Sequence, residues 1–96
     1  MAFYLYILRC HDGSYYTGHS EDLERRLAEH QPGGVPGYTA TKRPVRLVFT
    51  ESFQSRDEAF LAERQIEGWS RAKKEALIRG DWSRLRELAR AHGSTG

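Results

Sequence analysis

Seven residues near the amino terminus constrain the fold of this chain most. Residues 3–9 read Phe-Tyr-Leu-Tyr-Ile-Leu-Arg, so all but the last are aromatic or aliphatic. A strand without polar alternation is typical of a position that is covered on both faces of a sheet. A chain of 96 residues has room for one core only. We therefore predict that this segment is the central strand of a single domain over residues 1–92, followed by a flexible tail at 93–96.

The residues after this strand predict a hairpin and then several helices. His11 to Ser14 is a turn signal, because Gly13 accepts positive φ, and Tyr15 to Thr17 should return as a second, antiparallel strand that Gly18 ends. A third strand is predicted over 45–50. Helices are predicted over 21–30 with Ser20 as cap, over 55–67, from Ser70 to Gly80, and from Asp81 or Ser83 to about Ala91. Strands that precede helices predict an α+β fold, with a small, mainly antiparallel sheet flanked by helices.

The amino-acid composition favours one class of binding partner and one cellular compartment. Most of the 15 basic residues are arginines, and the formal net charge is +2. Arginine suits forked contacts with phosphate, so partners that carry phosphate are favoured. The single cysteine cannot form an internal disulfide, which makes a cytoplasmic protein the default. No apolar run is long enough to span a bilayer, so no membrane partner is expected.

Two polar residues of the first predicted helix border its apolar stripe. With about 100° between successive residues of an ideal helix, Arg26 and His30 fall beside Leu23 and Leu27. A solvated charge would normally lie on the far side, where Arg25 belongs. Arg26 and His30 should therefore point along the edge of the sheet. The alternative is that both side chains extend past Leu27 to water.

Glu63 falls inside the apolar arc of the second helix, about 40° from Ala59 and about 60° from Ile66 around the helix axis. A carboxylate that faces the core must be paired, protonated or bound to a cation, because burial of an isolated charge is expensive. The alternative to a cation is a salt bridge to an arginine. Glu67 has a similar phase but lies in the last turn, where it reaches solvent more easily. Glu63 is therefore the better candidate for a metal ligand.

Tyrosines on neighbouring strands complete a possible site. Tyr4 and Tyr6 share one face of the first strand, whereas Tyr15 and Tyr16 point to opposite faces. Packing alone explains a lone tyrosine in a strand. A tyrosine pair near an arginine, a histidine and a core-side glutamate suits phosphodiester cleavage, which needs a base, a cation against the developing charge, and an anchored metal ion. The basic residues at 71, 73, 74 and 79 form a solvated helix face or follow a nucleic-acid backbone.

These residues resemble the GIY-YIG nuclease domain. Tyr4-Leu5-Tyr6 and Tyr16-Thr17-Gly18 stand in for the two short motifs of the family name. The segment DLERRLAEH resembles the family's first helix, with its arginine at Arg26 and its histidine at His30. The segment EAFLAERQIEGWSRAKKEALI is similar to its acidic helix, with the metal-binding glutamate at Glu63. The resemblance covers about residues 3–79 and is closest to small stand-alone bacterial members without an added DNA-targeting domain.

The resemblance implies a three-stranded sheet flanked by helices, one divalent cation, Mg²⁺ or Mn²⁺, and cleavage of single-stranded or branched DNA. It implies that Tyr6, Tyr16, Arg26 and His30 are catalytic, with one tyrosine, Tyr6 by analogy, activating the water. The expected substrate contacts are His19, Tyr38, Lys42, Arg43, Arg71, Lys73 and Lys74. The alternative function is a nucleic-acid-binding module without turnover. A plain scaffold would leave Glu63 and Arg26 without a reason for their positions.

Three departures from the family pattern accompany this resemblance. The first glycine of the family name is Tyr4 here, and His19 follows Gly18 where the family often has a small or apolar residue. The asparagine found near the end of some members has no counterpart, because the sequence contains no asparagine.

Overall fold

The computed structural model describes residues 2–30 and 44–93. Within these ranges the chain forms β1 (Phe3–Arg9), β2 (Tyr15–Ser20), α1 (Leu23–His30), β3 (Arg46–Phe53), α2 (Arg56–Glu67), α3 (Arg71–Arg79) and α4 (Trp82–Gly93). The strand order is β2-β1-β3, and both pairings are antiparallel. The predicted α+β fold with a three-stranded sheet is confirmed, and β1 is the central strand.

The apolar run of β1 is explained by helices on both faces of the sheet. Leu5 and Ile7 pack on one face against Ile66 of α2 and Leu77 of α3. On the other face, a second cluster contains Tyr6, Leu8, Cys10 and Val45, against which Leu23 and Leu27 of α1 pack. The four residues from Leu5 to Leu8 are all at most 1% exposed. Each face of β1 therefore contributes to its own half of the core.

The hairpin turn forms as predicted, but β2 is longer than predicted. Gly13 adopts φ 86°, and the Cys10 amide donates to the Ser14 carbonyl at 2.8 Å. The prediction that Gly18 ends the strand is wrong, because β2 continues to Ser20 and Gly18 pairs with Tyr6. Glycine is accommodated inside this strand because the Tyr6 ring fills the space that a side chain at position 18 would need.

The start of α1 also differs from the prediction. Ser20 stays in the sheet opposite Tyr4, so it does not cap a helix. Asp22 takes that role, since the Arg25 amide donates to Asp22 Oδ1 at 3.1 Å. Pairing with β1 likewise extends β3 beyond Thr50 to Phe53, which lies opposite Phe3. In both places an inter-strand pairing overrides a local sequence signal.

The later helix boundaries agree with their caps. Ser55 Oγ accepts from the Glu58 amide at 3.1 Å, and Ser70 Oγ accepts from the Lys73 amide at 3.3 Å. Gly80 ends α3 in the left-handed conformation at φ 69°, and Asp81 Oδ1 then accepts from the Arg84 amide at 3.1 Å. Of the predicted tail, Gly93 is the last residue of α4 and residues 94–96 lie outside the described part. No helix within the described ranges has the length and apolar character needed to cross a membrane.

Candidate active site

Tyr6 and Tyr16 form a phenol pair on one face of the sheet. Tyr6 lies opposite Gly18 and Tyr16 lies opposite Leu8, so both side chains belong to the cluster that α1 covers. The ring centroids are 6.3 Å apart and the planes are tilted by 37°. Tyr6 is only 1% exposed, whereas Tyr16 is half-buried. The two phenols are also joined by a hydrogen bond.

Gly18 makes this pair possible. A β-carbon at position 18 would lie 2.6 Å from the Tyr6 hydroxyl oxygen and 2.7 Å from its Cζ. It would also lie 3.2 Å from a ring carbon of Tyr16. The bare backbone at position 18 therefore lets the Tyr6 ring cross β2 towards Tyr16. This gives a physical reason for glycine at the end of the Tyr16-Thr17-Gly18 motif.

The surroundings shift the pKa values of the two phenols in related ways. Burial is the main cause that raises the pKa of Tyr6, and the neighbouring Tyr16 raises it further, whereas the Arg26 guanidinium lowers it. Burial also raises the pKa of Tyr16, followed by the Glu63 carboxylate, while Arg26 lowers it. Their shared hydrogen bond raises the pKa of Tyr6 and lowers that of Tyr16, as expected if Tyr6 donates and Tyr16 accepts. Tyr16 is therefore the better placed of the two to release a proton.

Arg26 lies on α1 at the border of the apolar stripe, as its helix phase predicted. Its side chain is 39% exposed, and its Nη1 is 3.7 Å from Glu29 Oε1, which is too long for a hydrogen bond. Its charge acts on both phenols of the pair. The Arg26 side chain is thus partly exposed to solvent and also acts on the phenol pair.

Glu63 is held beside the edge strand β2. Its side chain is 15% exposed, and Oε1 lies 3.0 Å from Nδ1 of His19. The sequence left an arginine open as the partner of Glu63. Among the described residues, Glu63 contacts this histidine instead. Glu67, one turn further along α2, is exposed. The Glu63 carboxylate raises the pKa of both Tyr6 and Tyr16, so it acts on the same phenol pair as the Arg26 guanidinium.

The donor set fits a divalent cation of the magnesium type. Across residues 2–30 and 44–93, no three His, Cys, Asp or Glu side chains are grouped as a metal cage. Mg²⁺ usually keeps several waters and is held by one or two carboxylates together with substrate phosphates. Glu63 is a carboxylate of that kind, with one oxygen engaged by His19.

Phe60 is a neighbour of the site that the sequence did not single out. Its ring is 40% exposed, although it lies one turn before Glu63 on α2. The His19 ring meets it edge-on with centroids 5.7 Å apart, and the Arg64 guanidinium carbon is 5.6 Å from its centroid. The sequence signal that could have identified Phe60 was its position outside the apolar arc of α2. Large apolar side chains usually lie within that arc.

The predicted substrate contacts on α3 are not brought to the phenol pair. The α3 residues lie near Tyr15, which packs on the face opposite Tyr16. Arg71 lies 4.9 Å from the Tyr15 ring centroid, and its Nε is 3.2 Å from Glu75 Oε2. Lys73 Nζ lies 5.5 Å from the Trp69 ring centroid, and Lys74 is half-buried on the same helix. Tyr38, Lys42, Arg43 and the His30 side chain lie outside the described part of the chain.

Comparison with known sequences gives a matching domain family and several similar proteins. The sequence profile of the GIY-YIG catalytic domain matches residues 2–76. A UPF0213 protein of Halobacterium salinarum is 49% identical over 75 residues, which cover 78% of this chain and 97% of that protein. A UPF0213 protein of Staphylococcus saprophyticus is 45% identical over 75 residues, which cover 78% of this chain and 92% of the relative.

Two structures solved by NMR share the fold. The UPF0213 protein of Bacillus halodurans superposes with a TM-score of 0.55 at 44% identity, over 82% of this chain and 84% of that chain. A protein of E. faecalis gives a TM-score of 0.59 at 38% identity, over 83% of this chain and 85% of that chain. The match therefore extends from the motifs to the arrangement of the sheet and its helices.

Proposed function

Because the chain belongs to the family of GIY-YIG catalytic domains, whose members are endonucleases, we propose that it is a metal-dependent endonuclease that hydrolyses DNA phosphodiester bonds. Single-stranded or branched DNA is the proposed substrate. The observation that carries the proposal is the convergence of Tyr16, Arg26 and Glu63, from three separate elements, around one partly exposed region.

Tyr16 is the proposed general base. It is half-buried and therefore within reach of a water molecule, and it accepts a hydrogen bond from the more deeply buried Tyr6. In this step the water oxygen forms a bond to phosphorus as its proton passes to the phenolate form of Tyr16, which the charge of Arg26 stabilises. The bond from phosphorus to the leaving oxygen then breaks, and that oxygen takes up a proton from solvent. Tyr6 is assigned a positioning role, because its hydrogen bond favours the ionised form of Tyr16.

Arg26 is the proposed clamp on the phosphate. A planar guanidinium can donate two parallel hydrogen bonds to phosphate oxygens, and its charge opposes the negative charge that develops there. Arg26 also lowers the pKa of Tyr16, so one side chain serves both substrate and base. His30 follows Arg26 at the i+4 position of α1, and its catalytic role is proposed from the family pattern.

Glu63 is the proposed ligand of the divalent cation. A divalent cation in such a site, when bound, neutralises charge on the phosphate under attack. His19 fixes one carboxylate oxygen of Glu63 and so restrains the orientation of the side chain. Among the remaining candidates, Arg71, Lys73 and Lys74 are proposed to contact the DNA backbone at a distance from the scissile bond.

The proposal is tested by a cleavage assay on single-stranded, duplex and branched DNA of one sequence, each with Mg²⁺, Mn²⁺ or a chelator. We expect products with either metal, none with the chelator, and preference for the single-stranded or branched forms. The Glu63→Gln variant controls for a contaminating nuclease. Binding of DNA by the parent without any product under these conditions would favour the alternative, a nucleic-acid-binding module without turnover.

A further inference from the structure

A pocket adjoins the candidate active site. Its volume is about 260 Å³, and it is lined by Phe3, His19, Ser20, Glu21, Arg26 and Arg56. Phe3 begins β1 and Ser20 ends β2, so the pocket lies at one end of the hairpin, beside the first residue of α2. His19 and Arg26 line this pocket and also belong to the candidate site. Among the basic residues of the lining, Arg56 has no role in the proposed cleavage step.

The charges around this pocket favour an anion. Two guanidinium groups and one imidazole line the pocket with one carboxylate, that of Glu21, while Glu63 and Glu29, which contact His19 and Arg26, are not part of the lining. Arg56 Nη2 is 3.8 Å from Glu21 Oε2, beyond hydrogen-bond distance, and the two side chains are 65% and 50% exposed. An exposed ion pair of this kind contributes little, so an incoming anion can displace it.

Phe3 gives the Arg56 guanidinium a defined position. The guanidinium carbon lies 5.7 Å from the Phe3 ring centroid, a cation–π contact. An aromatic ring holds a guanidinium through its face, which leaves the N–H groups at its rim available to donate hydrogen bonds. The pocket is also smaller than the roughly 300–1,000 Å³ of sites that enclose a whole ligand. Its volume suits a single anionic group of a larger ligand.

We propose that Arg56, together with His19, binds the phosphate that neighbours the scissile phosphate on the same DNA strand. This inference rests on the proposed endonuclease function. Arg56 holds the strand in register, so that the next phosphate reaches Arg26 and Glu63. It is a substrate-binding residue and takes no part in bond breaking.

The proposal is tested by replacing one phosphate at a time with an uncharged methylphosphonate around the mapped cleavage position. Binding of each oligonucleotide is measured by fluorescence anisotropy in the presence of chelator, so that no turnover occurs. The proteins are the parent, Arg56→Gln and Arg64→Gln. Arg64 is the matched control, because it lies on the same helix and also contacts a phenylalanine ring through its guanidinium.

In the parent and in Arg64→Gln, we expect neutralisation of one adjoining phosphate to weaken binding roughly tenfold or more, as for a hydrogen bond to a charged group. In Arg56→Gln, where only His19 is left to contact that phosphate, the same replacement should weaken binding several-fold less than in the parent. The slope of log affinity against log salt should also fall by about 0.7–0.9, the contribution of one phosphate contact.

Two negative results are distinguishable. A parent that cleaves DNA and whose methylphosphonate profile is unchanged in Arg56→Gln would overturn the phosphate site alone. A parent that neither binds nor cleaves any of the oligonucleotides would overturn the endonuclease proposal, and the phosphate site with it.

Discussion

The hydroxyl oxygen of Tyr6 lies 2.6 Å from the point where a β-carbon of residue 18 would stand. Tyr6 is fully buried and its ring is rigid, so it cannot move aside as the end of a flexible side chain would. The absence of a side chain at Gly18 is therefore required by packing, although Gly18 lies in the middle of a strand. This contact links the glycine of one short motif to the tyrosine of the other.

Gly18→Ala should destabilise the protein by about 1–3 kcal/mol, the usual penalty of overpacking a core. The matched control is Gly68→Ala, where the new β-carbon would lie 3.5 Å from the Gln65 carbonyl oxygen, an ordinary van der Waals contact. That change should stay within about 0.5 kcal/mol. Both variants are compared with the parent by urea unfolding. Equal stability of the two alanine variants would show that Tyr6 does not need the space at position 18.

Tyr16→Phe and Tyr6→Phe should differ in their effect on cleavage. Each change removes one oxygen and keeps the ring. If Tyr16 is the base, its variant should cleave more slowly by roughly a hundredfold or more, the span expected for a positioned acid or base. Tyr6→Phe removes only the hydrogen bond to Tyr16 and should be affected less. Single-turnover rates on a substrate that the parent cuts decide the order, and the opposite order would assign the base to Tyr6.

Alkaline pH should destabilise the protein partly through Tyr6. A tyrosine in the unfolded chain ionises near pH 10. Burial raises the pKa of Tyr6 above that value, so the folded state keeps a proton that the unfolded state releases. Its contribution to stability is fully present below pH 10 and is lost as the pH rises towards the folded pKa. The free energy of unfolding should therefore fall less steeply above pH 10 in Tyr6→Phe. Parallel slopes in the two proteins would contradict this.

The sheet and its helices could be predicted from sequence because their signals are local. The unbroken apolar run of β1 indicated a strand covered on both faces, and Ser55, Ser70 and Gly80 marked the ends of helices correctly. The errors arose where strands pair. Ser20 carries a good capping hydroxyl, yet its pairing with Tyr4 keeps it in β2 and leaves the cap to Asp22. A contact across the sheet cannot be inferred from the neighbours of Ser20 in sequence.

The sequence indicated which residues could form the candidate site better than it indicated the contacts between them. Helix phase indicated that Glu63 faces inwards and that Arg26 borders the apolar stripe, and both positions agree with the structure. Phase could not indicate that His19, which is 44 residues away in sequence, would be the partner of Glu63. It also could not indicate that Arg56 would meet Phe3, since that contact depends on how α2 lies across the sheet.

Arg26→Lys should slow cleavage roughly tenfold or more, because hydrogen bonds to a charged group are worth ~1.5–3 kcal/mol and lysine lacks the planar fork. The charge is kept, so DNA binding should change less than the rate. Arg25→Lys is the control, since Arg25 is an exposed residue of the same helix. Cleavage is measured at saturating DNA for both variants. A parental rate in Arg26→Lys would mean that charge alone is sufficient at this position.

The role of Glu63 as the ligand of the catalytic cation is tested by comparing cleavage by Glu63→Gln and Glu67→Gln at saturating Mg²⁺. Both changes remove one negative charge from α2, but only Glu63 is held against β2 by His19, whereas Glu67 is exposed. If Glu63 holds the catalytic cation, Glu63→Gln should lose at least a hundredfold in rate with an unchanged melting temperature, a loss of ~2.7 kcal/mol of transition-state stabilisation. Glu67→Gln should stay within a few-fold of the parent. Cleavage at the parental rate by Glu63→Gln would contradict the account of this site.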